Sequence, residues 1–148
     1  MKKLTIERLF KPITEHDIVS FQSRNNITLP PYLQDFFIHY NGASTKEHRF
    51  FNDISYLVTA FIPLIKNEFD TSVEDILPAI RDEEEGIGRS DLIPFGTDPG
   101  GRPFYVSIGS KDYGNVYYDL VGLGESQPLR KIANSFEEFI NGLQARNE

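Results

Sequence analysis

Leu92–Asp119, LIPFGTDPGGRPFYVSIGSKDYGNVYYD, decides the fold. Three apolar runs, Leu92–Phe95, Phe104–Ile108 and Val116–Leu120, are separated by two glycine-bearing segments, Asp98-Pro99-Gly100-Gly101 and Asp112-Tyr113-Gly114-Asn115. Aromatic and β-branched side chains favour a pleated backbone, whereas Asp, Pro, Gly and Asn favour tight turns. The stretch therefore reads as three short strands joined by turns. Gly100, Gly101 and Gly114 answer to backbone geometry there, not to a closely bound ligand. The stretch holds no nucleophile with a base, no metal cluster and no Gly-Lys-Ser/Thr phosphate loop. It points to a sheet that presents a surface.

Working outward, helices flank this region. Thr14-Glu15-His16-Asp17 resembles a capping box, with Ile18, Val19 and Phe21 as the apolar face behind it and Asn25-Asn26 as the stop. Leu29-Pro30-Pro31 opens a second helix, because proline costs nothing in a first turn. Leu33, Phe36, Phe37 and Tyr40 share one face of it, and Asn41-Gly42 closes it. Phe50-Phe51 and Tyr56–Ile62 read as one or two strands. Thr71-Ser72-Val73-Glu74 signals a third start, and Val73, Ile76, Leu77 and Ile80 repeat at helical spacing. Pro78 opposes that helix, so it is either kinked or begins nearer Pro78. Asp82–Gly88 reads as an acidic, mobile loop. Leu129–Ala133 adds a strand, and Ser135-Phe136-Glu137-Glu138 caps a final helix with Phe136, Phe139, Ile140 and Leu143 on its inner face. Helices on either side of turn-linked strands indicate one α+β domain over residues 1–148, with helices packed on a largely antiparallel sheet.

Composition narrows the function. The chain has 148 residues, 12 Phe, 7 Tyr and no Cys. The rings suffice for a core, and the missing cysteines remove disulfides and thiolate metal sites. No long apolar run forms a leader or a membrane span, so the expectation is a soluble, cytoplasmic protein. The formal net charge is −7, and residues 68–98 carry 10 acidic and 2 basic side chains. Such a block disfavours direct nucleic-acid binding, which needs basic groups for phosphates, and suits a basic partner. A solvated face that keeps the protein soluble explains the same charge.

His16, His39 and His48 lack metal-ligand spacing. Glu83, Glu84, Glu85, Asp91 and Asp98 offer paired carboxylates, but a hydrophilic loop gives them no burial to raise a pKa for acid catalysis. Neither a metal nor a cofactor is implied, and no catalytic residue is assigned. Tyr113 lies in a turn beside these acids, and Tyr117 and Tyr118 face opposite ways on a strand. An outward tyrosine among acids suits a protein interface; alternatively Tyr117 and Tyr118 both cover the sheet with solvated tips.

The order of the pieces resembles the SUKH superfamily, which includes the Smi/Knr fungal cell-wall regulators and many bacterial immunity proteins. One motif is Leu29-Pro30-Pro31, then Phe36-Phe37, then Asn41-Gly42. The other is Ile93-Pro94-Phe95-Gly96-Thr97-Asp98 with Gly100-Gly101, then Asp112-Tyr113-Gly114 and Val116-Tyr117. Ser135-Phe136-Glu137-Glu138-Phe139 is similar to the family's terminal helix. Leu33 stands where an aromatic is usual, Ala43 where a second glycine is common, and no Trp follows Tyr117. The resemblance implies an α+β fold and a non-enzymatic role: bacterial members bind and neutralise a cognate polymorphic toxin, often a nuclease. The expected interface for that toxin domain is Glu83, Glu84, Glu85, Asp91, Asp98 and Tyr113. Rival readings are a regulatory scaffold with an endogenous partner, and an enzyme that uses the carboxylates.

Overall fold

In the computed structural model, residues 1–146 are described. A short strand, β1 (Ile6–Arg8), pairs with β2 (Ser44–Thr45). Between them lie α1 (Glu15–Asn25) and α2 (Pro31–Tyr40). A separate hairpin follows, β3 (Arg49–Asn52) with β4 (Ile54–Leu57). Five strands then form the main sheet: β5 (Ala60–Phe61), β6 (Leu92–Thr97), β7 (Pro103–Ser107), β8 (Val116–Asp119) and β9 (Leu129–Ala133), in that order and antiparallel throughout. Helix α3 (Val73–Arg81) crosses from β5 to β6, and α4 (Phe136–Asn141) closes the chain. This is the α+β architecture expected, with helices against an antiparallel sheet.

The helix starts follow local chemistry. Thr14 caps α1, its hydroxyl accepting from the Asp17 N–H while the Asp17 carboxylate accepts from the Thr14 N–H. Asn26 ends that helix at φ 53°, a left-handed turn that Asn tolerates better than most residues. Ile18 and Phe21 are buried as expected, but Val19 is 59% exposed. It lies one residue past Ile18, about 100° around the helix, and so leaves the buried stripe. Helix α2 begins at Pro31, and Gly42 turns the chain after it at φ 66°.

The start of α3 differs from the sequence reading. Ser72 is the cap and Asp75 its partner, one residue later than the Thr71–Glu74 spacing suggests. Glu74 is drawn inward instead. Its carboxylate accepts two bonds from Arg24, one from Asn25 and one from the Lys66 N–H. The helix also runs through Pro78 rather than starting near it. Burial of Val73, Leu77 and Ile80, worth about 1.5–3 kcal/mol each, outweighs the roughly 3 kcal/mol that an internal proline costs.

Period-two alternation splits the sheet. Phe104, Val106, Val116 and Tyr118 share one face by register, and Tyr105 and Tyr117 share the other. On the first face the rings of α2, α4 and the sheet interlock. Phe36 lies 4.9 Å from Phe61 and 5.0 Å from Phe136, and Phe95 lies 5.0 Å from Phe136 and 5.4 Å from Phe139. Most of these pairs meet edge to face, the arrangement favoured by ring quadrupoles. Among the turns, Gly101 (φ 84°) and Gly114 (φ 87°) hold the left-handed geometry, whereas Gly100 does not require it.

Phe36 joins two helices to the sheet, so Phe36→Leu should cost about 1–2 kcal/mol through lost ring contacts and a small void. Denaturant unfolding with an unchanged slope would measure it. Burial pulls the Glu74 carboxyl upward, but the bonds from Arg24, Asn25 and the Lys66 N–H, with the Arg24 charge, hold it below its ordinary value. Its contribution is therefore complete above the unfolded pKa of about 4.3 and fades as pH falls through the lower folded value. In Glu74→Gln, the loss of stability across that acid window should be shallower than in the parent chain.

Candidate functional site

Four segments converge at one end of the main sheet: the first turn of α2, the turn after α3, the β7–β8 loop and the start of α4. Arg89 ties two of them together. Its Nε donates to Asp91 Oδ1 at 2.7 Å, its Nη1 to Asp112 Oδ2 at 2.9 Å and its Nη2 to Asp112 Oδ1 at 3.0 Å. Nη2 also donates to Ser107 Oγ at 3.1 Å, and the guanidinium carbon lies 5.9 Å from the centre of the Tyr117 ring. The Ser107 and Tyr117 hydroxyls each donate to Asp112 at 2.5 Å. Such forked, charge-assisted bonds fix geometry that a lysine could not.

This network sets the titration of its members. The bonds from Arg89 outweigh burial and, with Ser107 and Tyr117, hold the Asp112 carboxyl well below the usual range. Asp91 and Asp112 push the Arg89 guanidinium further up. Burial, then the bond to Asp112, raises the Tyr117 hydroxyl. Gly109 belongs to the same assembly: a Cβ there would lie 2.0 Å from Asp91 Oδ2.

The six residues expected to form an interface separate into groups. Glu83, Glu84 and Glu85 are exposed in the turn that follows α3. That turn is built rather than slack, because Asp82 Oδ1 accepts from the Glu84 and Glu85 N–H groups and Ile80 O accepts from the Gly88 N–H at 2.9 Å. Those backbone bonds hold the exposed Asp82 carboxyl below its ordinary value. Asp91 is paired with Arg89 and is not a free charge. Tyr113 is 55% exposed and meets Tyr32 of α2 edge to face at 6.4 Å. Asp98 is elsewhere. It follows β6 while Asp91 precedes it, so the two lie at opposite ends of a strand, roughly 20 Å apart. There Asp98 accepts from the Gly100 and Arg102 N–H groups and from the Tyr118 hydroxyl. Burial and then Asp98 push that hydroxyl up to about 12. Tyr117 and Tyr118 are both partly buried, and their hydroxyls donate to Asp112 and Asp98 respectively.

Sequence reasoning missed Arg89, Asp112 and Tyr32. Arg89 stands among acids in the chain, which is a usable signal, but its partner Asp112 is 23 residues away. Beside Tyr113 is a recess of about 270 Å³ bordered by Met1, Tyr32, Gly114, Ser135, Phe136 and Glu137. Among the described residues, no cluster of His, Asp or Glu is arranged to hold a metal, and no helix is long and apolar enough to cross a membrane. His39 instead sits against Asp35 on its own helix.

The family model described as SMI1 / KNR4 (SUKH-1) matches residues 12–142, from just before α1 to the last turn of α4. The chain belongs to this family. No curated protein matches it. Both motifs singled out in the sequence lie inside the matched span of this SUKH-1 domain, and so does every residue of the Arg89 network.

In the SUKH-1 chain, Arg89→Met should strand Asp112 half-buried, with two hydroxyls and no cation. A loss of about 2 kcal/mol follows, below the 3–5 kcal/mol of a fully buried pair because both partners keep some solvent. Amide exchange at Gly114, whose N–H bonds Ser107 O at 2.8 Å, should accelerate about tenfold or more, while Phe139 in α4 stays protected. Arg89→Lys should recover little of either effect.

Proposed function

We propose that this SUKH-1 chain is an immunity-type protein. It binds a toxin domain, a nuclease among the candidates, and neutralises it without chemistry of its own. The observation that carries the reading is the sheet end pinned by Arg89. Fixed backbone there presents Glu83, Glu84 and Glu85, with Tyr113 on the neighbouring loop, on elements that need not reorder on binding. Nucleases hold phosphates with basic groups, so a rigid acidic rim with an aromatic anchor is complementary to them.

Asp98 is dropped from the proposed interface because it occupies the other end of β6, and Asp91 serves by holding Arg89. Among the described residues, the carboxyls with displaced titration, Glu47, Glu74, Asp82 and Asp112, all move down. A general acid requires the opposite shift. This supports binding over carboxylate catalysis.

The test is to read the genes flanking this chain's own for a secreted protein with a toxin-like C-terminal domain, then to co-express that domain with this chain and follow with co-purification and a toxicity assay. A stable complex that relieves toxicity is expected. Persistent toxicity with no complex, or capture of an endogenous partner in its place, would overturn the reading. Once a complex is in hand, reversing Glu83–Glu85 to Lys should slow association about tenfold or more at low salt and flatten its salt dependence. Tyr113→Ala should act mainly on dissociation. Stopped-flow mixing at several ionic strengths separates the two.

A further inference from the structure

We propose that the recess beside Tyr113 receives a single arginine or lysine side chain of the partner. The assignment rests on the binding reading above and names the chemistry of its central contact.

The recess has a volume of about 270 Å³. Phe136 is buried at its base, and Tyr32 and Tyr113 stand against each other at 87°. Apolar and aromatic walls suit the methylene stem of a long basic side chain. A tyrosine face suits its charged head, which the ring quadrupole attracts. Glu137 borders the same space and supplies a carboxylate for a charge-assisted bond. Among the described residues no lysine or arginine side chain lines the recess, although Met1, which carries the amino terminus, borders it. The Tyr32 hydroxyl is enclosed and couples to Tyr113, so the recess meets the incoming side chain with ring faces and with Glu137.

The start of α4 is not an anion site, because its groups are already engaged. Ser135 Oγ accepts from the Glu138 N–H at 3.0 Å, and Glu138 Oε2 accepts from the Asn134 N–H at 3.2 Å. Glu137 and Glu138 supply negative charge in the first turn. An anion would meet repulsion where a cation meets attraction. The same end carries Glu83–Glu85, so the long-range field and the pocket favour the same sign.

The probe is N-acetyl-arginine amide, titrated into the full chain at low ionic strength and followed by amide chemical shifts. N-acetyl-citrulline amide is the neutral isostere. Saturable shifts at Gly114, Ser135 and Glu137 are expected with the arginine probe, and binding of the citrulline probe should be about fivefold weaker or more. Tyr113→Ala should abolish saturation, Tyr113→Phe should keep it because the ring remains, and Glu137→Gln should weaken it about threefold or more. Both positions are exposed, so the variants should keep the parent spectrum elsewhere. Equal response to the two probes, or non-saturating shifts confined to the Glu83–Glu85 turn, would overturn the assignment. The titration needs no toxin. A failed titration beside an intact toxin complex removes only this pocket, and a saturable probe without a toxin complex removes only the immunity reading.

Discussion

Arg89 places one guanidinium between carboxylates from two connections, Asp91 ahead of β6 and Asp112 in the β7–β8 loop. The placement of those two connections relative to each other depends on it. Without a cation, Asp112 would draw two hydroxyls and face Asp91 across a partly buried gap. With it, the acids become a scaffold, and the residues beyond them are held for contact. The pairing contributes modest stability, because both partners keep some solvent. Its larger effect is on position: a forked donor fixes both loops at once.

The acidic block takes on a different character in this light. Of the ten acidic side chains in residues 68–98, Glu74, Asp75, Asp82, Asp91 and Asp98 accept hydrogen bonds that build the fold. Glu74 holds α1 to α3, Asp75 and Asp82 order the two ends of α3, and Asp98 shapes the β6–β7 turn. Glu68, Asp70, Glu83, Glu84 and Glu85 remain for solvent or a partner. A count of charge overstates the surface field, since a carboxylate satisfied by backbone N–H groups or an arginine projects less of it.

Much of the architecture was legible because its signals are local. Thr14 with Asp17, Pro31, Gly42 and Ser135 each act within one turn of the chain, and a capping bond needs no distant partner. Leu129–Ala133 reads as a strand from the sequence and is one. The third helix shows the limit. Thr71–Glu74 and Ser72–Asp75 both satisfy the capping pattern, and the choice between them was made by Arg24 and Asn25, some fifty residues earlier, which hold Glu74 inside. Val19 failed for a simpler reason: apolar character does not turn a side chain toward the core when helical phase points it away.

The sequence by itself determined where helices begin, where the chain turns, and that an aromatic core lies between α-helices and an antiparallel sheet. These follow from steric and hydrogen-bonding preferences within a few residues. Only the tertiary structure decided which acids share a surface. Antiparallel pairing reverses the chain at each turn, so Arg89 and Asp112 meet across 23 positions, while Asp91 and Asp98, seven positions apart, are sent to opposite ends of one extended strand. It also decided that Tyr113 meets Tyr32, which in turn packs on Phe136. That contact forms only when α2, α4 and the β7–β8 loop pack at a common end, and no local rule encodes it.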